Sequence, residues 1–103
     1  MQIKFSTSRL ELLALGDRQE EIRAKLSLPI LKKYRQVLVF ISAPDTTFLS
    51  LWNKKSFNLE KIQDHWSIRL NDQRRLEIAF GKNGEILVVD ILQISNHYKE
   101  IIR

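Results

Sequence analysis

The spacing of apolar residues changes once along the chain. Between about residues 8 and 43 they recur with a period near 3.6, and from Trp66 onward with a period of two. A short apolar alternation comes first. Ile3 and Phe5 within Gln2–Ser6 read as a strand. Thr7 or Ser8 then offers a helix cap, with Glu11 at capping-box distance from Ser8. Leu10, Leu13 and Ala14 share one helical face, and Gly16 is a plausible stop. Asp17 can cap a second helix, with Glu20 and Glu21 near its positive end and Ile22 and Leu26 on one side. Pro29 suits the first position of a third helix. Ile30, Leu31, Tyr34, Val37, Leu38 and Ile41 form its apolar face, and Lys32, Lys33, Arg35 and Gln36 its polar one. This predicts an amphipathic helix of about three turns ending before Ala43-Pro44.

Residues 44–61 read as a connecting loop carrying Trp52, Lys54, Lys55, Phe57 and Lys61. Beyond it, Trp66, Ile68 and Leu70 alternate with polar residues, turn at Asp72-Gln73, and continue as Leu76, Ile78 and Phe80. Asn83-Gly84 signals a tight hairpin. The run Ile86–Ile94 is almost continuously apolar, which predicts a central strand buried on both faces. Ser95 or Asn96 can cap a short last helix from His97 to Ile102. Pairing the strands about these turns puts Trp66, Ile68, Leu70, Leu76, Ile78, Phe80, Leu87, Val89 and Ile91 on one face, and only the helical half can cover it. The opposite face then carries Arg69, Asn71, Arg75, Glu77 and Asp90. The expectation is a single α+β domain over 1–103: N-terminal helices packed on one face of a small antiparallel sheet, with a short C-terminal helix.

Composition narrows the chemistry. The 103 residues hold 44% hydrophobic and 28% charged side chains, within the range of folded domains. With no cysteine, thiolate metal sites, disulfides and cysteine nucleophiles are excluded. Two histidines, His65 and His97, cannot build an all-histidine metal cage. No metal or other cofactor is expected. No run of about 18 apolar residues spans a membrane, and no apolar leader is visible, so the cytoplasm is the expected compartment. Seventeen basic residues against twelve acidic ones, a net charge of +5, favour an anionic partner, with nucleic acid first. The basic residues form no tail, so a basic surface has to be assembled by folding.

Three groups of residues carry candidate chemistry. Arg69 and Arg75, on one face of adjacent strands, can clamp a phosphate and stabilise charge developing on it. The competing reading pairs them across the strands with Glu77 and Asp90. His97 opens a polar segment after the apolar strand and can carry a proton near neutral pH, unless it is merely a surface histidine at a helix start. His65, beside Trp66 at a strand start, reads as structural or solvent-exposed. Trp52 with Lys54 and Lys55 joins an aromatic plane to charge, which suits single-stranded RNA, although a tucked tryptophan beside solvated lysines would look the same. Phosphate-loop, dinucleotide, nucleophile-elbow, zincin and EF-hand patterns are absent. Metal-free RNA cleavage fits a kit of Arg, Lys and His, because the substrate's own 2′-hydroxyl supplies the nucleophile.

The stretch Phe57-Asn58-Leu59-Glu60-Lys61-Ile62, followed by Trp66-Ser67-Ile68-Arg69-Leu70-Asn71-Asp72-Gln73-Arg74-Arg75-Leu76, resembles the RelE/HigB-like toxins of type II toxin–antitoxin systems. In that family a leucine–lysine segment precedes S-I-R-x-N-x-x-[WY]-R-[ILA]. The likeness is good over 57–98 and architectural over the helical half. It implies a RelE-like fold and a ribosome-dependent mRNA endonuclease that enters the A site and is neutralised by a cognate antitoxin. By the same likeness Arg75 and Arg69 match the family's arginines, His97 its C-terminal histidine with Tyr98 as substitute, and Lys54, Lys55, Lys61, Arg74 and Trp52 belong to an RNA- and ribosome-facing surface. The sequence departs from the pattern in four places, one of them at Phe57-Asn58, where some members carry a histidine. Arg74 replaces Trp or Tyr, Gln63-Asp64-His65 shortens the K-G-x-x-x-G stretch, and Ser95-Asn96 replaces Asp-Tyr before the last histidine. The same fold also serves proteins that inhibit DNA gyrase, act as co-repressors, or have lost activity.

Overall fold

The computed structural model of the chain describes residues 1–96 and the backbone of Ile101–Ile102. Strand β1 (Gln2–Phe5) leads into three helices, α1 (Ser8–Leu15), α2 (Arg18–Ala24) and α3 (Leu28–Ser42). The helix boundaries follow the expected chemistry. Thr7 Oγ1 accepts from the Leu10 amide, Asp17 from the Glu20 amide, and Gly16 closes α1 in the left-handed region at φ 83°. Helix α3 follows Ser27, carries Pro29 in its first turn, and runs 15 residues, a turn longer than the apolar spacing suggested.

Residues 44–61 are not an irregular loop. They contain α4 (Phe48–Asn53), a 3₁₀ turn (Lys55–Phe57) and the start of an edge strand, β2 (Glu60–Ile62). A capping box between Thr47 and Ser50 starts α4, a signal that the short apolar spacing in this stretch concealed. The sheet continues with β3 (His65–Arg69), β4 (Arg74–Asn83), β5 (Ile86–Asn96) and β6 (Ile101–Ile102). Its order is β1-β5-β4-β3-β2, with β6 also pairing β5. The sheet is mixed and not purely antiparallel, because β1 runs parallel to β5. The C-terminal helix expected over 97–102 is replaced at its end by a strand, since Ile101 and Ile102 pair with Ser95 and Ile94.

Strand β5 is central, yet it is not buried on both faces. The register slips by one between Glu77 and Ile78: Ile78 faces Ile91, whereas Glu77 faces Gln93. Leu92 is the extra residue of a β-bulge. Ser6, just past β1, holds that point with its amide on Ile91 O and its hydroxyl on Leu92 O. Val89, Ile91 and Ile94 therefore all reach the helix-covered face and are fully buried. Ile86 and Leu87, expected in the sheet interior, lie beyond the helical cover and are exposed.

The core is where the two patterns meet. Leu10, Leu13, Leu31, Tyr34, Val37 and Ile41 pack over Ile68, Leu76, Ile78, Val89, Ile91 and Ile94. Tyr34 lies within the apolar layer and donates its hydroxyl to Leu10 O at 2.7 Å, so burial raises its pKa without leaving the group unpaired. Arg35 crosses to α1, donating to Leu13 O and pairing with Glu21 at 3.0 Å. Among the described residues no helix is long and apolar enough to cross a membrane.

Candidate functional site

The helices cover one face of the sheet only. On the other face β3 presents His65, Ser67 and Arg69, and β4 presents Arg75 and Glu77 in direct opposition. Register alone brings Arg69 opposite Arg75 and Ser67 opposite Glu77. Both arginines line one cavity of about 290 Å³ with Asn58, Glu60, Asn71 and Asp72. The pair expected from the sequence is therefore assembled on the uncovered side.

The two guanidiniums are held differently. Arg75 is largely buried and donates from Nε to Ser67 Oγ at 2.7 Å. Its Nη2 donates to Asn58 O at 2.6 Å and to Ser67 O at 3.2 Å, and Glu60 stands 3.9 Å away. Asn58 can offer that carbonyl because it adopts the left-handed region at φ 42°, which asparagine tolerates better than most residues. Neutral oxygens thus orient Arg75, and the Glu60 carboxylate stands at ion-pair distance from it. Burial lowers its pKa; Glu60 opposes that shift and the neighbouring Arg69 adds to it. Arg69 is more exposed and pairs with Asp72 in the adjoining turn. That turn is built by Asn71, whose side-chain oxygen accepts from the Gln73 and Arg74 amides at 2.8 and 2.6 Å. Asp72 is 87% exposed at its side chain, so the pairing is a surface one that an incoming anion can displace.

Glu77 and Asp90 are not the partners of the arginines. Glu77, only 7% exposed, accepts from His65 Nε2 at 2.5 Å and from Gln93 Nε2 at 2.8 Å. Burial raises its pKa, but hydrogen bonds from Ser95, His65 and Gln93 outweigh it and the net shift is downward. His65 is shifted upward, first by its contact with Asp64 at 3.0 Å and then by Glu77, against the opposing effect of burial. From the sequence, His65 reads as structural or solvent-exposed, with no partner assigned. The only signal that could have found the pair was the β3–β4 register, which places Glu77 beside the strand start twelve residues away.

The remaining expected residues divide. Trp52, Lys54 and Lys55 line a second cavity of about 340 Å³ with Asn58 and Leu59. Lys61 pairs in register with Trp66 and sits 5.8 Å above its ring, on the helix-covered side. Arg74 has the parity of Leu76, which places it also on the covered side and away from the arginine cavity. His97 and Tyr98 lie outside the described residues.

No family model matches the chain. No curated protein matches it either. Among solved structures, a YoeB/ParE toxin from Agrobacterium tumefaciens superposes over 95% of this chain and 100% of its own, at a TM-score of 0.59 and 14% identity. The fold is that of a RelE/ParE toxin. At such low identity the toxin fold is conveyed by the architecture: helices on one face, a mixed sheet, and an open face on the other side. The arginine pair lies on the open face of this toxin fold.

Proposed function

We propose that this chain is the toxin of a type II toxin–antitoxin pair and cuts single-stranded mRNA on the ribosome without a metal ion. The observation that carries the reading is the register of Arg69 and Arg75, two like charges directly opposed in one open cavity. Like charges so placed repel each other and are relieved by an anion between them. A phosphodiester matches the need, because guanidinium N–H groups donate charge-assisted hydrogen bonds to its anionic oxygens. Arg75, already oriented through Nε and Nη2, keeps Nη1 for the substrate oxygen.

In the reaction, the 2′-oxygen forms a bond to phosphorus and the bond from phosphorus to O5′ breaks. The 2′-hydroxyl proton leaves to a base, and O5′ gains a proton. The products are a 2′,3′-cyclic phosphate and a 5′-hydroxyl. The arginines stabilise the negative charge that grows on the phosphorane oxygens. His97 is the proton carrier in this reading, with Tyr98 as its substitute. The toxin fold supports a cognate antitoxin as the second partner.

Expression of wild type and Arg75→Ala in bacteria, with primer extension on mRNA, tests the proposal. Loss of growth arrest together with loss of new mRNA ends in the variant supports it. Equal toxicity and identical ends in both strains overturn the role of Arg75. Growth arrest with intact mRNA and altered DNA supercoiling assigns the fold to gyrase instead.

A further inference from the structure

The cavity beside the arginine pair has the features of a nucleobase site. It is lined by Trp52, Lys54, Lys55, Asn58 and Leu59, and it shares Asn58 with the arginine cavity. The shared residue is the one whose carbonyl receives Arg75. The two cavities therefore adjoin at Asn58.

Trp52 is held rigidly and yet remains open. Phe48 stacks nearly parallel to it, at 6.3 Å between centroids and 19° between planes. Trp66 meets it edge-on at 6.4 Å. These contacts fix the indole from two sides, but 54% of the residue stays exposed. A large aromatic surface left in water, immobilised in advance, loses little conformational freedom when a base stacks on it. The two lysines have different tasks. Lys54 lies 5.3 Å over the Phe40 ring and 5.9 Å over Phe57, which ties it to the protein. Lys55 has no such ring contact among the described residues, and it is the cation available at this cavity.

We propose that Trp52 is the stacking platform for the base next to the phosphate held by Arg69 and Arg75, and that Lys55 meets the following phosphate. The occupant is single-stranded RNA. Lys55 lines the same cavity as the aromatic plane and a guanidinium pair lies in the adjoining one, which matches the alternation of flat bases and anionic links in a polynucleotide. The inference rests on the proposed RNA-directed activity and adds to it a second contact, one that reads the presence of a base and not its identity.

The test uses the full chain and a short, 2′-O-methylated, fluorescein-labelled single-stranded RNA, which binds but cannot be cut. Anisotropy titrations compare wild type with Trp52→Ala, Trp52→Phe, Lys55→Ala and Arg75→Ala. Trp52→Ala is expected to weaken binding by about five- to a hundredfold, and Trp52→Phe to retain most of the affinity, because one stacked base contributes that much. Lys55→Ala is expected to lower the salt dependence by about one phosphate contact. A set of RNAs, each with one abasic residue, supplies the readout a merely structural role would not move. Wild type should lose affinity at one position, and Trp52→Ala should be insensitive there. Unchanged RNA affinity in Trp52→Ala, with loss in Arg75→Ala, overturns the base site and leaves the phosphate reading standing. Unchanged affinity in both overturns both.

Discussion

The two faces of the sheet use the same strands by different rules. On the covered face, Ile68, Leu76, Ile78, Val89, Ile91 and Ile94 are each fully buried, and any apolar residue of suitable volume would serve the same purpose. On the open face, Arg75 is joined to Ser67 and His65 to Glu77 by directed contacts, each of which needs its partner at a given register position. The covered face depends on volume and the open face on register. Stability should therefore reside in the first and chemistry in the second, and substitutions can test that division.

The largest effect is expected on the covered face. Ile78→Ala should lower unfolding free energy by about 2–5 kcal/mol, read from urea denaturation, as a fully buried side chain leaves a cavity. Growth arrest in cells would then fall through abundance, and purified folded protein should keep its RNA affinity. Arg75→Ala reverses the pattern. Cleavage should drop about 10²- to 10³-fold, in line with removal of a charge-stabilising donor. Its urea midpoint should move much less than that of Ile78→Ala.

Glu77 is the residue that joins the two faces, because it is buried like a core residue and bonded like a site residue. Glu77→Gln should cost about 1–3 kcal/mol by leaving buried donors poorly matched. The pH dependence has a defined sign. His65 is shifted above its ordinary value of 6.5, so its contribution is complete below that value and is lost as pH rises through the shifted one. Glu77 is shifted below its ordinary 4.5, so its contribution is present above that value and is lost as pH falls. Both contributions are present between about pH 4.5 and 6.5. Thermal unfolding should therefore peak in that window for wild type, and His65→Gln should flatten the alkaline side. The smallest effect is expected at Asp72→Asn. Removing that exposed partner should change stability by less than about 1 kcal/mol, while RNA affinity rises as Arg69 is released. A large loss of stability there would show that Asp72 shapes the turn and does more than screen Arg69.

What the sequence reveals follows the same division. The helix caps at Thr7, Asp17 and Gly16, the apolar face of α3 and the Asn83-Gly84 turn depend on neighbours close in the chain, so local pattern was sufficient for them. The placement of Arg69 opposite Arg75 was also legible, because only the short turn at Asn71–Gln73 separates the strands. Helix α4 was not, since six residues are too few for periodicity and its Thr47–Ser50 box replaces the usual acidic partner. The His65–Glu77 pair needed a register that chain proximity does not reveal. The apolar run 86–94 misled because two alternations joined at Leu92 look like one uninterrupted strand.

That spare residue at Leu92 works as a change of phase. Upstream of it the odd-numbered positions of β5 face the helices, and downstream the even-numbered ones do. Without the bulge, with Leu92 paired opposite Glu77 in a regular ladder, every upstream contact would remain and the strand's far end would turn over. Ile94 would be driven into water, and Gln93 and Ser95 would be withdrawn from the Glu77 carboxylate they now serve. One leucine thus synchronises the greasy side of the molecule with its ionic side, and a family of chains that kept the bulge could vary either side without disturbing the other.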